Sequence, residues 1–146
     1  MAKMERAAIR KFIDKWLDAW ARHDLEGVLE AFSEEVIFDN WSGVRLKGKK
    51  RIRSAWKAWF EESGSFRFFT EDIFIDENEQ KVLFRWNYEG PSFDKRRENS
   101  VETRRGVDVM HIRNGKIDEK FTYSKTTIGI DGRKVALIIP MKEDKR

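Results

Sequence analysis

The stretch GVDVMHIRNGKIDEKFTYS, Gly106–Ser124, decides the fold. At its centre stands Asn114-Gly115, a two-residue turn in which both positions tolerate positive φ, the strongest short hairpin signal a sequence can carry. The flanks have the composition and period of strands, so the turn predicts two long antiparallel strands, Val101–Arg113 and Lys116–Lys125. At mid-length the first of these is apolar on both sides, with Val107 and Val109 on one and Met110 and Ile112 on the other. A layer of helices covers one side only. A second copy of the chain, packed on the outer sheet face, is the simple cover for the other, and a homodimer is expected.

Upstream, Phe66–Ile75 and Lys81–Tyr88 read as two more strands, joined through the turn Asp76-Glu77-Asn78-Glu79. The charged connection Ser92–Ser100 reads as an exposed, mobile loop. Before Gly64 the period is helical. Ile9, Ile13, Trp16, Leu17 and Trp20 form one stripe, and Asp24 caps a second helix carrying Leu25, Val28, Leu29 and Phe32. Val36–Trp41 is a short strand, Gly43 and Gly48 bracket a loop, and a third helix presents Ile52, Trp56, Trp59 and Phe60. Downstream, a turn at Asp131-Gly132 leads to a terminal strand, Val135–Ile139, stopped by Pro140. The expected class is α+β: a cone-shaped curved antiparallel sheet wrapped on three N-terminal helices. It forms a single domain over 1–146, with a core at 7–125 and a short C-terminal hairpin extension at 126–146. Three helices cannot fill the whole concave side, so a conical cavity is expected there.

Composition narrows the chemistry. The 146 residues include no cysteine and 2 histidines, which excludes disulfides, thiolate chemistry and a histidine-rich metal centre, and no cofactor or metal is expected. Phosphate-binding glycine loops and the Gly-x-Ser-x-Gly and His-Glu-x-x-His patterns are absent. With 30 Lys+Arg against 26 Asp+Glu the net charge is +4, too small by itself to suggest nucleic acid as a partner. No window is apolar enough to span a membrane, and a cytoplasmic location is the default expectation. Aromatic residues reach 13%, with 6 tryptophans, enough to line a hydrophobic small-molecule pocket.

Two acids stand out because they sit in apolar strands, where an unpaired carboxylate is costly. Asp39 shares a side with Ile37 and Trp41; it is either a proton carrier raised by burial or an exposed strand-end residue. Asp108 shares its side with Met110 and Ile112; it either pairs with a cation such as Arg85 or faces the cavity as a neutral hydrogen-bond donor. Tyr123, alternating with Phe121 and Glu119, brings its hydroxyl into the same space or packs as a core residue. Trp16, Trp20, Trp41, Trp56 and Trp86, with Met110, are the candidate substrate-binding wall, against the plainer reading that each is core. The basic run Arg45–Arg53 is either an anion site at a helix start or a solvated face. His111 is placed on the outer face and His23 in solvent.

Several segments together resemble the nuclear transport factor 2-like superfamily, in its SnoaL-like and ketosteroid-isomerase-like branch. They are Trp16-Leu17-Asp18-Ala19-Trp20, His23-Asp24-Leu25-Glu26-Gly27-Val28, Val36-Ile37-Phe38-Asp39, and Gly106-Val107-Asp108-Val109 running to Asn114-Gly115-Lys116-Ile117. The resemblance implies an open cone that is commonly dimeric. It places Asp39 where the isomerases carry a proton-shuttling aspartate and Asp108 where they carry an oxyanion-stabilising aspartic acid. Trp16 stands where they have a tyrosine, a weaker acid in its place. The limonene-epoxide-hydrolase-like members are similar in fold, with Thr122 at one position of their Asp-Arg-Asp relay, and Arg85 and Asn40 falling near the rest. The implied function is cofactor-independent acid–base catalysis of the isomerase, cyclase or dehydratase type on a ketone-bearing substrate. A non-catalytic ligand-binding or protein-interaction domain of the same fold is the alternative.

Overall fold

The computed structural model describes residues 3–62, 65–97 and 99–137. Helix α1 (Arg6–Ala21) buries Ile9, Ile13, Trp16 and Ala19, a stripe at helical spacing. Its start is tied to the sheet by Gln80, which accepts from the Met4 N–H (2.9 Å) and donates to the Met4 carbonyl (3.0 Å). Helix α2 (Leu25–Glu30) is capped by Asp24, whose carboxylate accepts from the Gly27 N–H at 3.0 Å. Residue 27 must be glycine for this, since a Cβ would collide with the Asp24 carboxyl group. Helix α3 (Lys49–Glu62) turns Ile52, Trp56 and Phe60 inward, four residues apart.

The strands are β1 (Phe32–Asp39), β2 (Arg45–Lys47), β3 (Arg67–Asp76), β4 (Lys81–Pro91), β5 (Val101–Arg113), β6 (Lys116–Ser124), β7 (Thr127–Ile130) and β8 (Arg133–Ala136). They form one sheet in the order β2-β1-β6-β5-β4-β3, with the β7–β8 hairpin added to β5. All pairings are antiparallel except β1 with β6, which run parallel. Irregularities interrupt the β1–β6, β3–β4 and β5–β6 ladders, and such bulges sharpen the twist that curls a sheet. The result is a curled half-barrel over three helices, the α+β cone.

Some boundaries moved. Phe32–Glu35 belongs to β1 rather than to the end of α2, and the loop between Gly43 and Gly48 contains the short edge strand β2. The connection after β4 holds a 3₁₀ turn, Lys95–Arg97. Phe93 packs there on Tyr88, ring centroids 4.8 Å apart. The expected terminal strand Val135–Ile139 lies partly outside the described residues, as do Gly64 and Pro140; β8 begins earlier, at Arg133. Among the described residues no helix is long and apolar enough to cross a membrane.

Alternation along β4 and β5 separates two faces. Val82, Phe84, Trp86 and Tyr88 point to the helices from β4, and Glu102, Arg104, Asp108, Met110 and Ile112 from β5. Met110 and Ile112 are sealed in the solid part of the core, whereas Arg104 and Asp108 border an open space.

Candidate functional site

The concave side encloses a cavity of about 1060 Å³ between α1, α3 and the sheet. Its walls are aromatic: Trp16 and Trp20 from α1, Trp56 and Trp59 from α3, Phe84, Trp86 and Tyr88 from β4. Trp20 makes ring contacts with Trp56 (5.3 Å) and Phe60 (5.2 Å), so the helices meet through tilted aromatic rings.

Into this wall β5 and β6 insert a polar cluster. Asp108, Lys120 and Thr122 are 3%, 5% and 7% exposed. Lys120 Nζ lies 3.1 Å from Asp108 Oδ2 and donates to Thr122 Oγ1 at 2.8 Å. Thr122 in turn donates to Asp108 Oδ1 at 2.7 Å, and the Trp86 indole N–H donates to the same oxygen at 3.3 Å. The ammonium also sits over the Phe38 ring, 4.7 Å from its centroid, and 5.9 Å from that of Trp56. An ion pair this deep persists only because its members are also hydrogen-bonded. Gly106 completes the arrangement, because any side chain there would overlap the Trp86 ring that lies across it.

A second polar pair lies beside the cavity, with Arg104 in its wall and Glu102 behind it. Arg104 donates from Nε to Glu102 Oε2 at 3.0 Å, and Ser92 Oγ donates to the other carboxylate oxygen at 3.1 Å. The guanidinium carbon lies 4.1 Å from the Trp41 centroid and 5.2 Å from that of Phe93. Beside it, Tyr88 donates its hydroxyl to the Pro91 carbonyl at 2.7 Å. Burial, reinforced by the Glu102 charge, pushes the Tyr88 phenol well above its ordinary range and keeps it protonated.

The candidates from the sequence divide. Trp16, Trp20, Trp41, Trp56 and Trp86 border the cavity with Asp108, and Met110 does not, being closed into the core. Asp39 is not in the cavity: it lies on the outer face beside Arg45 (3.1 Å), while its neighbours Phe38 and Asn40 point inward. The apolar flank that suggested burial, Ile37, belongs to the outer face as well. Tyr123 is 55% exposed on that face, so its hydroxyl cannot enter the cavity. Asp108 does not pair with Arg85, which binds Glu71 and Asp72 on the outside. It faces the cavity and is paired at once, with Lys120. Where the isomerase resemblance implied a hydrogen-bond donor, Asp108 accepts from Thr122 and Trp86 and lies against the Lys120 ammonium.

Sequence reasoning missed Lys120 and, beyond its place in the hydrolase-like relay, Thr122, as well as Arg104 and Glu102. The signal for the first two was their alternation along β6, but it was hidden by a bulge. The pair Ile112–Ile117 is followed by His111–Glu119, leaving Asp118 as an extra residue. A one-residue shift exchanges the faces of a strand. Asp108 therefore stands opposite Thr122, not Phe121, and Tyr123 is turned outward.

Half of the basic run is matched by acids from elsewhere in the chain: Arg45 by Asp39, Lys49 by Glu34 (3.4 Å) and Arg53 by Glu26 in a two-point contact (2.9 and 3.1 Å). His23 is not in open solvent; it ends α1 with φ 55°, stacks on Phe66 at 4.2 Å and bonds the Phe66 carbonyl. His111 is on the outer face beside Glu119. Among the described residues no group of His, Asp and Glu is arranged to hold a metal ion.

Comparison with known proteins agrees with this architecture. No curated protein matches the chain. Among solved structures, the epoxide hydrolase/cyclase-like enzyme SalBIII superposes with a TM-score of 0.73 at 16% identity, over 86% of this chain and 98% of that one. An NTF2-like protein of unknown function from Mesorhizobium loti gives 0.66 at 22%, over 86% and 97%. An LEH-like epoxide hydrolase of M. tuberculosis gives 0.67 at 15%, over 82% and 84%. At these identities the likeness is one of fold. Its cone has the fold of those NTF2-like structures, and since the SnoaL-like domain family matches residues 13–120, the chain belongs to that family.

Proposed function

We propose that this protein is an acid–base enzyme acting on a flat, hydrophobic, carbonyl-bearing small molecule, with Asp108 and Lys120 as its working pair. The observation that carries the reading is the placement of that ion pair. It lies in the wall of a cavity large enough for a multi-ring ligand, against the Trp86 and Trp56 indoles and the Phe38 ring. Lys120 spends two donors on Asp108 and Thr122 and keeps a third. That N–H suits the oxygen of a carbonyl that becomes an enolate. Asp108 is the nearby base that takes the proton from the α-carbon, and the same proton can be returned at another carbon. Isomerisation, aldol-type ring closure and dehydration all begin with this step. The fold's likeness to SalBIII, an epoxide hydrolase/cyclase-like enzyme, supports a small-molecule role for the cavity.

The test is α-proton exchange. A flat ketone such as 2-tetralone is incubated in deuterium oxide and followed by NMR. Wild type is expected to accelerate exchange, and D108N and K120M to lose about 100-fold or more of that rate, the range of a general acid or base. Wild-type turnover that survives both substitutions overturns the assignment. One observation favours a second, purely binding role: Asp108 already accepts from three donors, as a structural carboxylate does. Ligand binding with no exchange in wild type decides for that role. We further propose that the outer sheet face pairs two copies, since Leu83, Val107, Val109 and Phe121 lie there with only part of their surface covered.

A further inference from the structure

We infer that Arg104 is a carboxylate anchor, so that the substrate is a flat acid whose carboxylate meets Arg104 while its carbonyl meets Lys120. The inference rests on the acid–base reading above and specifies its substrate class.

Arg104 has a side chain only 2% exposed, yet among the described residues it makes a single hydrogen bond, from Nε to Glu102. Its Nη1 is fully buried and has no partner. A guanidinium carries five N–H donors, and buried donors in a finished structure are nearly always paired. Glu102 is held to the Nε side, because Ser92 engages its other oxygen. What remains is the outer edge of the guanidinium, the edge whose parallel donors fit a carboxylate.

The surroundings fit the same ligand. Glu102 is wholly buried and does not border the cavity, whereas Arg104 does, so the positive member of the pair is the one set in the cavity wall. Trp41 and Phe93 flank the guanidinium with aromatic surface, which suits a planar ring attached to the acid. Arg104 and Asp108 lie on the same face of β5, four residues apart, which spans ~13 Å at about 3.3 Å per residue. A molecule of about three fused rings bridges that distance, with an acid at one end and a carbonyl towards the other.

The probes are 7-oxo-5,6,7,8-tetrahydrophenanthrene-2-carboxylate, whose acid and ketone sit on opposite terminal rings, and its neutral carboxamide, which has nearly the same shape, titrated against the whole chain by calorimetry. Wild type is expected to bind the carboxylate about tenfold or more tightly, the effect of one charge-assisted bond. In the E102Q/R104Q variant, which leaves no unpaired buried charge, the preference should fall below about twofold. Equal wild-type affinities overturn the anchor, and so does a preference that survives in the double variant. Neither result touches the acid–base reading, because the carboxamide still reports binding at the cavity and proton exchange is measured separately. If neither probe binds, the cavity reading fails and the anchor with it. Should the double variant not fold, the comparison of the two probes on wild type decides alone.

Discussion

Lys120 reaches Asp108 across a strand boundary: the two are diagonal neighbours on β6 and β5, and Nζ closes to 3.1 Å from Oδ2. Met110 is the residue directly opposite Lys120, so the lysine side chain leans along the sheet to find its partner. Breaking a buried pair by removing one member strands the other charge and costs about 3–5 kcal/mol. K120M and D108N are each expected to destabilise the chain by amounts in that range. The double variant should cost less than their sum by at least about 1 kcal/mol. Urea unfolding of the four proteins measures this, and strict additivity contradicts the coupling.

The Trp86 ring lies over the backbone of Gly106, the position it faces across the β4–β5 ladder. A methyl group there overlaps the indole and also presses on the Tyr123 carbonyl. G106A is therefore expected to displace the ring, lose the bond from Trp86 to Asp108, and destabilise by about 1–3 kcal/mol, as overpacking does. Near-ultraviolet circular dichroism and the melting temperature report both effects. A variant with the wild-type spectrum and an unchanged melting temperature shows that the ring is not held there.

The fold was legible where local chemistry is strong. Asn114-Gly115 fixed the hairpin (φ 52° and 74°), and Asp24 and the indole stripes fixed the helices. The site was less legible for two physical reasons. The extra residue at Asp118 inverts the faces of β6 beyond it, and nothing in the composition of Ile117–Glu119 marks a bulge. The outer face is also apolar at its centre, so Ile37 beside Asp39 did not distinguish inside from outside. Asp108 was found because an acid between valines needs an explanation on any face, while Lys120 passed as an ordinary strand lysine.

Beside its ladder with β5, the C-terminal hairpin is fastened at its turn by one acid. Asp131, at φ 48° in the turn with Gly132, accepts the Val101 N–H at 2.8 Å and so joins the β7–β8 turn to the start of β5. That backbone bond, then one from the Ser100 hydroxyl, holds the Asp131 carboxyl below its usual range. A carboxyl lowered by folding stabilises above its unfolded-state value, and the contribution fades as pH falls through the lower folded value. Acid below about pH 4 should therefore loosen the hairpin first. Amide exchange at Ile128 and Ile130 is expected to quicken there in wild type, and to lose that pH dependence in D131N. Identical acid profiles in the two proteins contradict the link.

Tyr123 and Phe74 leave 55% and 59% of their surface open on the outer face, around the less exposed Val107, Val109 and Phe121. Ion pairs frame this patch: Arg45 with Asp39 at one side, Arg85 with Asp72 at the other. An apolar centre with a charged rim is the anatomy of a protein–protein interface, and a two-fold contact brings β5 of one copy near β5 of the other. The chain, 17.4 kDa, is expected to sediment at twice its mass at micromolar concentration. V109D places a carboxylate in the middle of the contact, where burial without a partner costs several kcal/mol, and should sediment as a monomer with unchanged far-ultraviolet circular dichroism. The substitution points away from the cavity, so the monomer should still bind the carbonyl probe. A wild type that is monomeric throughout the micromolar range removes the interface from consideration and leaves the cavity chemistry as it stands.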